Sequence, residues 1–383
     1  MSKTLFSISM VKNESDVIES FVRYNINIFD GMIILDNQSS DNTLEILNLL
    51  KKEGLNLYII KDEDREFDQA IKTNKLLSCA INKYNADIVV PLDADEFIMT
   101  PHNKNPREFL EKIEFPTLSL VKWKTYVPTF DNENEIFIPS KITFARDDYG
   151  EYCKAIIPKE LVEKFDVKLT KGNHNISNSK HDKSIKKFLS SDLRIAHFPI
   201  RSEDQIIAKI AVGWINTLCD ITHGESTSWH IKDMFNYLKH EGKIGKEDMI
   251  NFAKKYSLDD QEKEVKIEYD PLDLKLFNNI SIKYENYEID YISNILENSE
   301  TLAKDYSNLK KNYLNLEKNK LDEQERFKIE IAKYKANNDN LTLKLNKLSH
   351  GKNQLELKIN EYENSTSWRL TSPMRKFIAF LKN

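Results

Sequence analysis

Residues Ala86 to Ile98 read ADIVVPLDADEFI, an apolar β-like run that closes on Asp93, Ala94, Asp95 and Glu96 and then turns apolar again. Carboxylates at the mouth of a buried strand need a partner, and a divalent cation is a natural one. Hard oxygen ligands suit Mg²⁺ or Mn²⁺, which keep several waters and also bind substrate phosphates. A strand-end Asp-x-Asp therefore points to nucleoside-diphosphate chemistry. The bare pattern says little, because acids one residue apart are common in a chain that is 31% charged. Its position and its neighbours give it weight.

Upstream, strands and helices alternate. Leu5 to Met10 is a compact apolar strand, and Val17, Phe21, Tyr24 and Ile28 then recur at helical spacing. Met32 to Leu35 is a second strand, followed by a helix with Leu44, Leu47 and Leu50 on one face. Leu57 to Ile60 is a third, Gln69 to Tyr84 a helix with Ile71, Leu76, Ala80 and Ile81 inward, and Ile88 to Leu92 a fourth strand. This order predicts an α/β fold with a mostly parallel sheet and helices on both faces. Ligands of such sheets bind beyond the carboxyl ends of the strands. Polar residues follow at that end: Asn13 and Glu14, Asp36 and Asn37, then Asp93 and Asp95. Pro91 is a tension, since proline is unwelcome inside a central strand.

Downstream, Thr117 to Arg201 mixes strand-like pieces such as LSLVKW and KITFA with polar loops, an α+β continuation that closes the site. Glu203 to Tyr256 reads as helical and Asp259 to Ser299 as a weakly patterned connector. Further on, Leu302, Leu309 and Leu316, then Phe327, Tyr334, Leu341, Leu348, Leu355 and Tyr362, fall seven apart, with Ile331, Leu345 and Ile359 in the companion position. This is a heptad seam with an eleven-residue step between Leu316 and Phe327, a stutter in a coiled coil. Helical from Asp305 to Tyr362, it would extend about 85 Å. The expected organisation is a first domain over 1–230, a helical extension and connector over 231–299, a coiled coil over 300–362 and a basic amphipathic tail over 363–383.

Composition narrows the class. A chain of 383 residues with 40% hydrophobic content holds a large core. A net charge of -5 lacks the basic footprint of a nucleic-acid binder. Cys79, Cys153 and Cys219 have no C-x-x-C spacing, against a disulfide framework or zinc site. The apolar run of MSKTLFSISMVKNESD breaks into charge before signal-peptide length, and no segment approaches a membrane span of roughly 18 apolar residues. A cytoplasmic protein is expected, peripheral at the inner face of the membrane if the tail binds there. G-x-G-x-x-G, the P-loop, H-E-x-x-H and G-x-S-x-G are all missing.

The combination MVKNESDVIESFVRYN, IILDNQSSDNT, FDQAIKTNKLL, IVVPLDADEFI and HFPIRSEDQIIAK resembles the family 2-like glycosyltransferases of the GT-A fold, in the subgroup marked by NE, DN-S-DxT, lD-DEF and H-P-RS. The resemblance covers about residues 1 to 230. The tail NSTSWRLTSPMRKF is similar to the SxSWRxTxPLR segment ending many bacterial envelope-polysaccharide glycosyltransferases. The resemblance implies that Asn13, Glu14, Asp36 and Asn37 hold the nucleoside of a sugar nucleotide, and that Asp93 and Asp95 bind Mn²⁺ or Mg²⁺ and the donor diphosphate, with Glu96 behind them. His197, Arg201 and Lys209 match positions that complete the metal or diphosphate contacts; Lys154 and His174 also look familial. The implied acceptor is a glycan or lipid-linked sugar of a surface polysaccharide. Most family 2-like enzymes invert, using a carboxylate downstream of the DxD as base. Asp147, Asp148 and Glu151 are candidates, and Asp148 is chosen, although no clear ED motif marks it.

Plainer readings stand beside these. Asp36 near Ser39, Ser40 and Asp41, and likewise Asn13 and Glu14, fit turn and helix-cap chemistry. His197 and His174 fit as core histidines, and Trp123, Trp214 and Trp229 as core or acceptor-shelf residues. A competing function is a coiled-coil interaction protein carrying a non-catalytic nucleotide-binding module, homo-oligomeric through the coil. Intact Asp36, Asp93 and Asp95 argue against it. A nucleotidyltransferase would need a Gly-rich loop after the first strand, which SMVKNESD lacks.

Overall fold

A computed structural model describes residues 2–62, 69–101, 104–150, 152–178, 185–219, 229–258, 263–274, 277, 280–284 and 291–382. The chain divides into two compact units, Met1–Thr301 and Leu302–Asn383.

The first unit opens with β1 (Leu5–Val11), α1 (Ile18–Asn25), β2 (Gly31–Asp36), α2 (Thr43–Lys52), β3 (Leu57–Lys61), α3 (Gln69–Tyr84) and β4 (Ile88–Pro91). β1 pairs in parallel with β2 and β4, and β2 in parallel with β3. These strands read as near-continuous apolar runs because both faces are covered. Successive side chains choose opposite faces. Met32 and Ile34 pack with Phe21, Leu47 and Leu50 of α1 and α2, while Ile33 and Leu35 pack with Leu76, Leu77 and Ala80 of α3.

Register explains how Pro91 fits. The Leu92 N–H donates to Ile8 of β1 at 3.0 Å, so the nitrogen of Pro91 faces the other edge. There the antiparallel ladder with β8 (Cys153–Pro158) pairs only Ile88 and Val89. The missing donor is not needed.

Between β4 and β8 come β5 (Glu96–Met99), α4 (Pro106–Leu110), β6 (Thr117–Val127), α5 (Ile138–Lys141) and β7 (Phe144–Arg146). After β8 follow α6 (Lys159–Phe165), β9 (Val167–Leu169), β10 (Ile176–Asn178), β11 (Lys186–Leu189) and β12 (Arg194–His197). The main sheet runs β13-β7-β6-β8-β4-β1-β2-β3, where β13 is Ile267–Tyr269. It is parallel from β3 to β4 and antiparallel from β4 to β13. Along β6, β11 and β12 add in parallel, and β5 pairs antiparallel with β12. Parallel pairing thus runs through β3, β2, β1 and β4 and recurs where β11 and β12 join β6, while the other pairs of the sheet are antiparallel.

A helical layer of α7 (Glu203–Cys219), α8 (Trp229–Glu241) and α9 (Lys246–Lys255) follows β12. Ile206, Ile210, Met234, Met249 and Ala253 bury a third apolar cluster against Val127 and Ile200. The connector is tied down more firmly than its weak pattern suggests: β13 extends the sheet, and the buried Glu19 carboxylate accepts the N–H groups of Lys283 and Tyr284.

α10 (Tyr291–Asn364) is one continuous helix of 74 residues, followed by α11 (Thr366–Leu370) and α12 (Ser372–Lys382). In the second unit Leu309, Leu316, Phe327, Tyr334, Leu341, Leu348, Leu355 and Tyr362 are all exposed. Among the described residues, no helix is long and apolar enough to cross a membrane.

Candidate functional site

The turn between β4 and β5 is closed from both sides. Glu96 donates its N–H to the Asp93 carbonyl at 3.0 Å, and its carboxylate accepts the Asp93 N–H at 2.9 Å. Pairing of β5 with β12 sets His197 opposite Glu96, and the Phe198 N–H donates to the Asp95 carbonyl at 2.9 Å. These constraints bring the two aspartates to different partners.

Asp95 is buried, and its Oδ2 meets Lys209 Nζ from α7 at 3.0 Å, His197 Nε2 at 3.6 Å and Arg201 Nη1 at 3.7 Å. Asp93, with a side chain 36% exposed, takes the fully buried Lys154 of β8 at 2.5 Å. Lys154 also lies 3.2 Å from Glu96. Arg201 donates to Asp16 at 2.7 and 2.8 Å, to Glu14 at 2.7 Å and to the Phe198 carbonyl at 3.2 Å. Its guanidinium ties the β1 loop to the segment after β12.

Five carboxyl groups (Glu14, Asp16, Asp93, Asp95, Glu96) thus face three permanent cations, Lys154, Arg201 and Lys209. Burial pushes Glu14 up to about 8 against the pull of Arg201, and it raises Glu96 against the pull of Lys154. Burial would raise Asp95 too, but Lys209, His197 and Arg201 carry it well below the usual carboxylate range. Burial lowers His197 more than Asp95 raises it. A neutral imidazole is the metal-binding form. Its Nδ1 is buried with no hydrogen-bond partner among the described residues.

Rings surround the basic groups. Trp123 stacks on His197 with centroids 4.4 Å apart and lies 5.3 Å from His174 and 5.7 Å from Tyr152. His174 Nδ1 donates to the Cys153 carbonyl at 2.9 Å, and burial followed by Lys154 lowers its pKa. Tyr256, at the end of α9, sits 5.4 Å from His197. Trp214 packs on Phe235 in the helical layer, and the side chain of Trp229 lies outside the described residues.

The second polar group gathers at the ends of β1 and β2. Asp36 is buried; its Oδ2 accepts the Ser39 N–H at 3.3 Å while Oδ1 has no hydrogen-bond partner among the described residues. Asn37 accepts from Lys72 at 3.3 Å, and Lys72 pairs with Asp62. Asn13, with φ 55°, spends its side chain on the Ser40 N–H at 2.8 Å, and its own N–H goes to Ser39 Oγ at 3.0 Å. Its contacts are turn chemistry. Asp41 rather than Asp36 holds the start of α2, accepting the Thr43 N–H at 2.9 Å.

Asp148 lies apart from the Asp95 cluster in its contacts. It pairs with Arg146 at 2.7 Å and Lys263 at 2.6 Å, and these outweigh burial to lower its pKa. The route to the cluster runs through Arg146, which donates to the Tyr256 carbonyl at 3.0 Å. Asp147 is exposed, and Glu151 lies outside the described residues. Sequence reasoning passed over Asp16 and Tyr256. Asp16 was within reach as the next acid in the strand-end run NESD; Tyr256 closes an exposed-looking helix and carried no signal.

No family model and no curated protein matches the chain. Solved structures that it resembles include S. aureus TarS 1–349 in complex with UDP, 14% identical, covering 62% of this chain and 72% of that one with a TM-score of 0.33. Another is the mannosyltransferase PcManGT from Pyrobaculum calidifontis in complex with GDP-Man and Mn²⁺, 16% identical, covering 66% of this chain and 73% of that one with a TM-score of 0.35. A third is GalNAc-T7 with UDP, GalNAc and Mn²⁺, 12% identical, covering 63% and 55% with a TM-score of 0.33. The site's chemistry rests on its own residues.

Among the described residues no three His, Cys, Asp or Glu side chains converge into a metal cage. The side chains available to an ion there are instead Asp95 and His197, 3.6 Å apart, with Asp93 in the same turn. A divalent ion that keeps waters and takes phosphate oxygens needs only one or two protein ligands. The pair fits such an ion.

Proposed function

We propose that the first unit is a glycosyltransferase that moves a sugar from a nucleotide-sugar donor to a glycan or lipid-linked acceptor in bacterial surface-polysaccharide synthesis, with inversion and with Mn²⁺ or Mg²⁺. The observation that carries this reading is the juxtaposition of Asp95, His197 and Lys209 beyond the carboxyl ends of β1 and β4. Asp95 and His197 would hold the cation, with Asp93 beside them. When bound, the cation would neutralise charge on the departing nucleoside diphosphate.

The chain's own groups supply the rest. The unpartnered Oδ1 of Asp36 can accept from a ribose or base donor, and Asn37 and Glu14 border the same strand ends. Lys209 and Lys154 bring positive charge to the diphosphate; Arg201 and Asn13 hold the loops that carry the site. Asp148 is the proposed acceptor-side base, and it must shed one cation partner to take a proton from a hydroxyl. We propose also that α10 pairs with a second copy through its heptad face and that the basic tail meets an anionic membrane.

The test is a panel of sugar nucleotides with Mn²⁺ and Mg²⁺, scored for nucleoside diphosphate release, with Asp95→Ala as control. Release by the wild type and its loss in folded Asp95→Ala is expected. No release with any donor, or full turnover by Asp95→Ala, would overturn the proposal.

A further inference from the structure

One carboxylate oxygen, Asp95 Oδ2, is the target of three nitrogen groups, and they differ in freedom. Arg201 is buried and fixed by Asp16, Glu14 and the Phe198 carbonyl. His197 is clamped by the Trp123 stack and is the cation's other ligand in the reading above. Lys209 differs: its side chain is 29% exposed, and beyond Asp95 it donates to the Pro199 carbonyl at 3.2 Å, with the Tyr256 hydroxyl as a further partner. It is also the nearest of the three, at 3.0 Å. An ammonium 3.0 Å from that oxygen competes for its lone pairs and repels an arriving dication. A divalent cation arriving between Asp95 and His197 is therefore opposed by Lys209, the group of the three with a flexible stem and a partly exposed side chain.

We propose that Lys209 is a resident counter-cation: its ammonium holds the Asp95 carboxylate in the ligand-free protein, a divalent cation displaces it, and the displaced ammonium turns to the oxygens of the incoming diphosphate. The inference rests on Asp95 and His197 being the cation site. Charge follows the exchange without leaving the buried carboxylate bare, which would be costly in a desolvated cluster. The arrangement makes Lys209 a brake on metal binding in the absence of nucleotide and an aid to diphosphate binding in its presence.

The experiment titrates Mn²⁺ alone into the full-length protein and reads free Mn²⁺ by electron paramagnetic resonance. Wild type, Lys209→Met, Lys209→Gln, Asp95→Asn and the Lys209→Met/Asp95→Asn double variant are compared, with melting curves confirming the fold. Lys209→Met and Lys209→Gln are expected to bind Mn²⁺ about tenfold or more tightly than wild type, because a like charge has left the site, and Asp95→Asn should abolish binding in either background. Equal or weaker binding by both lysine variants, with binding still lost in Asp95→Asn, overturns the counter-cation alone. Binding that survives Asp95→Asn, or no binding by any variant, overturns the cation site and the inference together.

Discussion

The indole of Trp123 stacks on the imidazole of His197, with centroids 4.4 Å apart and planes 27° apart, and the same ring lies 5.8 Å from Lys154 Nζ. The register of β6 with β12 places Ile195 opposite Trp123 and His197 opposite Thr125, so Trp123 and His197 are diagonal neighbours on one face. A single aromatic ring thus borders one nitrogen partner of each aspartate, His197 of Asp95 and Lys154 of Asp93. His197 Nδ1 has no hydrogen-bond partner among the described residues, which leaves the stack to orient its Nε2 towards Asp95.

Trp123→Phe should therefore leave the protein folded but loosen His197. Positioning contacts behind a metal ligand are typically worth about 10–100-fold in metal affinity or activity. A fall of about tenfold in Mn²⁺ affinity is expected for this variant by the same titration. An unchanged affinity would mean that the stack does not position the imidazole.

Arg201 is a tie between two loops. Removing one partner of a buried ion pair costs about 3–5 kcal/mol because the other charge is left unpaired. Arg201→Met should lower the urea midpoint accordingly, and the additional loss on Asp16→Asn should be much smaller in that background than in wild type. Weakened nucleoside diphosphate binding with an unchanged midpoint would make Arg201 a donor contact instead.

The sequence spelled out the parallel half of the sheet because strands covered on both faces leave unbroken apolar runs, as in IVVP and MIILD. It was silent about β13, three residues whose side chains stay largely exposed while their backbone extends the sheet. It also obscured the switch to antiparallel pairing, since side-chain alternation in β6 and β8 is the same in either direction. At the site, strand-end acids were readable one by one. Their partners were not, for Lys209 reaches Asp95 across a sequence separation of 114 residues and Arg201 reaches Asp16 across 185. Asn13 was read as a donor contact; its side chain accepts the Ser40 N–H and its backbone takes φ 55°, which the bare NE pattern did not signal.

Glu53 makes a pH-dependent clamp on the connector. Hydrogen bonds from Arg23, then from Tyr284 and Lys283, push its carboxyl down to about 2. A depressed folded pKa adds stability above the unfolded value, near about 4.3, which is lost as pH falls towards the folded one. Glu53→Gln should thus melt lower than wild type at pH 7, by about 1–2 °C for a partly exposed pair. The gap should close as pH falls through that window. A gap that stayed constant down to pH about 2 would contradict the assignment.

For the proposed pairing of α10 with a second copy, a parallel dimer is the simplest arrangement of its exposed Leu, Tyr and Phe positions. Light scattering should give a multiple of the chain mass for the full-length protein and a smaller multiple for a version ending at Ser299. Leu341→Asp together with Leu348→Asp should shift the full chain in the same direction. Equal particle-to-chain mass ratios in the full and shortened proteins would remove the helix from assembly.

The final helix carries its own chemistry. α12 keeps Pro373 in its first turn, where the missing N–H is tolerated, and exposes Met374, Phe377, Ile378, Phe380 and Leu381. From Trp368 onward the basic residues are Arg369, Arg375, Lys376 and Lys382, with no acidic residue among them. Arg375 already lies over the Trp368 ring at 3.5 Å, so charge and aromatic area are presented together. That combination suits an anionic bilayer surface, where apolar side chains enter the interface and each basic residue adds about 1 kcal/mol. Vesicles containing anionic lipid should co-sediment the full chain at low salt, release it at high salt and leave behind a version ending at Glu363. Equal behaviour of the two proteins would assign the tail to protein contacts rather than to lipid.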